Sequence, residues 1–193
     1  MADNCITLDD ISHSLGCGGG NAPGIQPEVI YGYHEDVDVW PDEPAPVSGT
    51  PVSLEEAGAL IGDVVMKAGT RAYKFAFTED AGNFAIATDG QVDGMSAVYN
   101  LSIVKAKIAK LILGFMNAAT ARRMFFIVTD ENGTSYLMGG KRRGASLVPG
   151  GDGAVTGTTA SDRNQTTLAF TYRSAKALVY EGDKEDLLVP PTP

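Results

Sequence analysis

The first 66 residues of this 193-residue chain contain no lysine or arginine. Twelve of the 24 acidic residues fall in that stretch, whereas all fifteen bases follow it, so the remainder carries +3 within a total of -9. Tight sequence-specific DNA binding is disfavoured, because phosphate contacts need a concentrated basic surface. The acidic third either lies against something basic, such as another copy of the chain, or is a solvated acidic segment. Cysteine is equally scarce: Cys5 and Cys17 are too few for a disulfide framework and fit a reducing compartment. The longest apolar stretch, Ile103 to Ala121, is broken by Lys105, Lys107 and Lys110, so no membrane span is expected. The opening Met-Ala-Asp-Asn-Cys has neither the basic nor the apolar region of a secretory signal, which implies synthesis in the cytoplasm.

Groups for acid-base chemistry are also few. Only His13 and His34 offer an imidazole as acid or base, and no Gly-x-Ser-x-Gly elbow marks a nucleophile. Cys5, His13 and Cys17 match no zinc spacing. The acidic group Glu35, Asp36, Asp38, Asp42 and Glu43 has Pro41 where a calcium loop needs glycine, and reads as a solvated loop. Neither Gly16 to Gly20 nor Gly139-Gly140-Lys141-Arg142 has the spacing of a phosphate cradle. No catalytic residue, metal or cofactor is expected, and the chain does not read as an enzyme.

What is present is a β-rich pattern punctuated by 23 glycines and 10 prolines. Residues 1–27 read as a flexible glycine-rich arm, 28–182 as a single β-rich domain, and 183–193 as a proline-ended tail. Within the domain Glu28 to Tyr33 is the first strand, and Ser53-Leu54-Glu55-Glu56 has the form of a capping box opening a short helix. Strands follow over 63–67, 71–78, 83–88 and 95–103, with Tyr73, Phe75, Phe77 and Ala97, Tyr99, Leu101, Ile103 on single faces. Val104, Ile108, Leu111, Ile112, Phe115 and Ala119 form the stripe of an amphipathic helix. Leu113 and Met116 lie off that stripe, as a second apolar face for a partner or as ordinary surface.

Met124 to Val128 is apolar at every position and predicts a central strand covered on both sides. Asn132-Gly133 predicts a type I′ hairpin returning over 134–138. Strands at 145–148, 165–173 and 177–180 complete a mainly β fold, a β-sandwich or flattened barrel with one flanking amphipathic α-helix.

The order of this second half resembles the tail-tube proteins of tailed bacteriophages. The likeness runs over residues 60 to 182 and is carried by the aromatic strands from Arg71 to Thr88, the strand entering the helix, the segment Asp130 to Gly139, and the closing strands from Gln165 to Tyr180. It is similar to virion proteins of phages and prophages of Bacteroides-like bacteria. The resemblance implies a virion structural protein whose subunits close into rings, expected to be hexameric, that stack into a tube for DNA passage alongside other virion proteins. The long arm departs from a minimal tube subunit and leaves a terminator role open. The alternative from a different class is a monomeric β-sandwich module that binds a carbohydrate-like ligand without catalysis. For assembly, the acidic N-terminal third of one subunit would meet Lys141, Arg142 and Arg143 of the next in a head-to-tail contact, with Leu113 and Met116 as the apolar contribution.

Overall fold

The computed structural model describes residues 6–11, 20–46, 50–149, 153–159 and 162–189. In chain order it forms β1 (Glu28–Tyr33), β2 (Val37–Val39), β3 (Val65–Met66), β4 (Tyr73–Ala76), β5 (Gly82–Asp89), β6 (Ser96–Ala106), α1 (Lys110–Ala121), β7 (Met124–Thr129), β8 (Ser135–Gly140), β9 (Arg143–Gly144), β10 (Ser146–Leu147), β11 (Gly153–Val155) and β12 (Gln165–Ser174). One sheet has the order β4-β1-β7-β8-β9 and the other β10-β12-β6-β5, with β11 also on β12, and β2 pairs with β3 in a small ribbon. The strand pairs are antiparallel. The mainly β, sandwich-like architecture expected from the pattern is therefore the one adopted. Among the described residues no helix is long and apolar enough to cross a membrane.

Strand β7 explains the layering. Every residue of it is buried, and a strand sends successive side chains to opposite faces. Met124, Phe126 and Val128 enter the core between the two sheets, where they meet Val29 of β1, Tyr99, Leu101 and Ile103 of β6, and Leu168 and Phe170 of β12. The Phe126 and Phe170 rings lie 4.5 Å apart across the sheets. Phe125 and Ile127 enter a second core on the far face with Ile30, Val37, Trp40, Val64, Met66, Leu137, Tyr180 and Leu187. Burying each such side chain contributes about 1.5–3 kcal/mol. Helix α1 joins the inter-sheet core through Ile112, Phe115 and Ala119, and the Phe115 ring lies 5.0 Å from both Tyr31 and Phe75.

Several local expectations change. The helix begins at Lys110, because Val104 stays in β6, which is zipped to β12 through ten successive pairs ending at Ala106↔Gln165. Lys107 then turns the chain with φ 67°, and Asn164 holds the exit by accepting from the Lys107 and Ile108 amides. Leu111, assigned to the buried stripe, is 81% exposed. The capping box forms, with the Glu56 amide donating to Ser53 Oγ at 3.2 Å and the Ser53 amide to Glu56 Oε2 at 3.1 Å. It opens only a 3-10 turn, Glu56–Gly58. The strand expected over 63–67 contracts to β3, and 177–180 makes isolated bridges rather than a strand.

The two ends of the domain are also less free than their composition implies. Ile25 packs against the inter-sheet core and bridges to Asp130, the Ala22 amide donates to Asn132 Oδ1, and Leu187 in the tail is 2% exposed. Apolar burial at Ile25 and Leu187 outweighs the chain entropy that glycine and proline signal around them.

At the β7–β8 turn, Gly133 has φ +89° whereas Asn132 stays at negative φ. The turn is thus a type I turn closed by the Gly133 amide on the Asp130 carbonyl, followed by a left-handed glycine, and not type I′. Nothing lies within 4 Å of a Cβ built on Gly133, so only backbone strain opposes substitution there. Gly133→Val is expected to lower folding stability by roughly 1–3 kcal/mol in urea titration, and Gly133→Asn by less, since asparagine tolerates left-handed φ. Thr166 is 0% exposed with no hydrogen-bond partner for Oγ1. Thr166→Val is expected to raise stability by about 1 kcal/mol in the same titration, as it removes an unsatisfied hydroxyl at nearly constant shape.

Candidate functional site

The turn Lys141-Arg142 joins β8 to β9, and its bases rim a cleft of about 720 Å³. Two glycines give the strand its close fit beneath the turn. A Cβ at Gly139 would stand 2.9 Å from the Trp40 ring and from Phe125, and one at Gly140 would stand 2.8 Å from the Tyr172 hydroxyl. Leu60, Leu137 and Tyr172 contribute apolar surface to the cleft. Burial pushes the Tyr172 hydroxyl above the usual tyrosine pKa.

Opposite charge reaches this rim from within the same chain. Asp42 is fixed by paired backbone hydrogen bonds with Ile61 at 2.9 Å each, and its carboxylate takes the Lys141 ammonium. Further ion pairs join Glu35 to Arg122 at 2.7 Å, Glu28 to Lys74 at 3.0 Å and Glu43 to Lys176 at 3.9 Å. Four acids of the N-terminal third thus pair with bases of their own chain. These pairs are solvent-exposed and each is worth only ~0–1 kcal/mol, so they orient the loop more than they hold the fold. Arg173, also on the cleft, pairs with Asp89 at 2.6 Å. Arg142 and Arg143 make no ion pair among the described residues.

The apolar half of the expected interface lies elsewhere. Leu113 and Met116 are half-buried on α1, with Met116 packed against the inter-sheet core, and neither lines the cleft. The C-terminal end of α1, through Ala119, Thr120 and Ala121, and the following Arg122 and Arg123 border a separate cleft of about 440 Å³. The exposed large apolar side chain of α1 is Leu111, which the sequence stripe had placed inside. The rest of the stripe within the helix, Ile112, Phe115 and Ala119, is buried as expected, and Val104 and Ile108 precede the helix.

His34 is engaged structurally. Its Nε2 donates to the Gly140 carbonyl at 2.7 Å, a bond that requires the proton on Nε2, and its ring stacks on Trp40 at 4.9 Å. The acidic loop splits into the separate ion pairs above. No group of three His, Cys, Asp or Glu side chains able to hold a metal occurs among the described residues. Cys5, His13 and Cys17 lie outside the described residues.

A polar cluster that no motif announces joins three segments: Lys184 Nζ donates to Ser135 Oγ at 3.0 Å and to Thr129 Oγ1 at 3.2 Å, and the two hydroxyls bond each other at 3.0 Å. A serine beside a lysine is one arrangement for nucleophilic catalysis. Here Ser135 is 5% exposed and lines neither cleft. The cluster instead clips the segment that carries Leu187 to the β7–β8 hairpin. A fluorophosphonate probe is expected to leave the native protein unlabelled, and labelling that disappears in Ser135→Ala would identify a nucleophile instead. Comparison with protein-family models, with curated proteins and with solved structures yields no match for this chain.

Proposed function

We propose that the chain is a virion structural protein, a subunit that self-assembles into rings or a tube of a phage tail for DNA passage. It works without catalysis or a cofactor. Its partners are further copies of itself, in rings expected to be hexameric, and other virion proteins, after synthesis in the host cytoplasm.

The observation that best supports this reading is the free edge at β5. This strand is eight residues long, pairs with β6 on one side, and among the described residues meets no strand on the other. A solitary protein protects such an edge with lysine, proline, a bulge or a cover, because its unpaired amides and carbonyls are a template for another chain. β5 reads Gly-Asn-Phe-Ala-Ile-Ala-Thr-Asp, with neither lysine nor proline, and pairs with β6 in unbroken register. On the outer face beside it Ala85, Ala87, Asn100, Ser102, Ala169 and Thr171 make a patch of small uncharged side chains, bounded at one end by the ion pair of Asp89 with Arg173. Such a face lets a neighbouring subunit approach closely without desolvating a charge. An exposed edge used by a copy of a different surface is a head-to-tail contact, the kind that closes into rings or extends into tubes.

Light scattering of concentrated protein, followed by electron microscopy, tests the reading. Rings or tubes are expected, and Ala85→Lys on the outer face should abolish them while leaving the melting temperature unchanged. A particle that stays monomeric at every concentration would favour the ligand-binding module in its place.

A further inference from the structure

Residues 6–11 have the sequence Ile-Thr-Leu-Asp-Asp-Ile and are exposed throughout, although three of the six are large and apolar. Leu8 is 81% and Ile11 87% exposed. Among the described residues one backbone hydrogen bond, from the Thr7 amide to the Val52 carbonyl at 2.8 Å, ties this strap to the rest of the chain, together with the parallel bridge Ile6↔Val52. Side chains of this kind are buried in most settings, so the strap has the composition of a segment that finishes its packing elsewhere. Asp9 and Asp10 stand between the apolar residues and make no ion pair among the described residues.

The basic cleft is its complement. Lys141 and Arg173 are already matched by Asp42 and Asp89, which leaves Arg142 and Arg143 as the unmatched charges on the rim. Between the rims Leu60 is partly exposed, above the buried Leu137 and Tyr172. Among the described residues of the N-terminal third Glu28, Glu35, Asp42 and Glu43 are paired within the chain and Asp36 and Asp38 are not, but Asp9 and Asp10 are the acids set between exposed leucine and isoleucine.

We infer that the strap of one copy docks in the basic cleft of the next, with Leu8 and Ile11 on the apolar surface and Asp9 and Asp10 against Arg142 and Arg143. The inference rests on the proposed subunit role and adds to the β5 edge a second contact of the same head-to-tail kind. Two adjacent acids opposite two adjacent arginines steer the encounter, and the flanking Leu8 and Ile11 fix its position by shape.

Charge reversal in the full chain tests it, read by sedimentation velocity. Asp9→Lys with Asp10→Lys reverses the strap, and Arg142→Glu with Arg143→Glu reverses the cleft. Each double variant alone should associate roughly tenfold or more weakly than the native chain, because every contact then opposes like charges. An equimolar mixture of the two should regain association, because each strap then faces a cleft of opposite sign on the other variant. Native-like association by both variants would overturn the docking and leave the subunit role standing, whereas a native chain that never associates would overturn both. A mixture no better than its separate components would show that the strap is not exchanged between copies. All four positions are exposed, and if a reversed variant melts early, Asp9→Asn with Asp10→Asn and Arg142→Gln with Arg143→Gln give the same comparison with a smaller loss.

Discussion

The double-sided burial of β7 is the constraint on which the rest of the molecule depends. Six residues of one strand supply side chains to two separate cores, so each face must be covered by a different set of elements. The inter-sheet face is closed by β6, β12 and α1. The other face has no sheet of its own to meet, and is closed by the β2–β3 ribbon, Trp40, Tyr180 and Leu187. This is why an acidic, proline-rich connection and a terminal segment, both of loop-like composition, are held against the body. Truncating one residue of β7 would open a cavity in only one core, yet the strand's position is shared by both, so its packing errors cannot be confined to one side.

Much of this was legible where one periodicity dominates. The alternation in β6 and β12 and the unbroken apolar run of β7 state their burial in the sequence, and the structure places Tyr99, Leu101, Ile103, Leu168 and Phe170 inside as that alternation requires. Two patterns competed over 104–108, and the ladder to β12 prevailed over the helical stripe because each added pair satisfies backbone groups that an unanchored first helical turn leaves open. Trp40 was invisible as a core residue, since its neighbours are acids and prolines and its burial comes from contacts distant in sequence. The basic rim could be read from three consecutive bases, but its partner Asp42 could not, because only the ribbon geometry brings residues 42 and 141 together.

Charge asymmetry along a chain says how much compensation is needed and not where it occurs. Here the ion pairs of Glu28, Glu35, Asp42 and Glu43 spread that compensation over the surface of a single copy. Among the described residues Asp9 and Asp10 take no part in that compensation, and they differ from the other unpaired acids in standing between exposed leucine and isoleucine.

The order in which the strands are joined has a consequence for biogenesis. β1 lies between β4 and β7, and β7 is synthesised only after β2 through α1. Neither core can close until that strand has left the ribosome, and the inter-sheet core must wait longer still for β12. Pairings between segments so remote in sequence carry a large loop-closure entropy and form slowly. The nascent chain therefore holds β5 and β6 as an unsupported hairpin while the edge of β5 is already complete. Folding is set to follow synthesis rather than accompany it, and during that interval neighbouring nascent chains on one message are at risk of joining through the wrong strand, a hazard met by chaperones or by spacing between ribosomes.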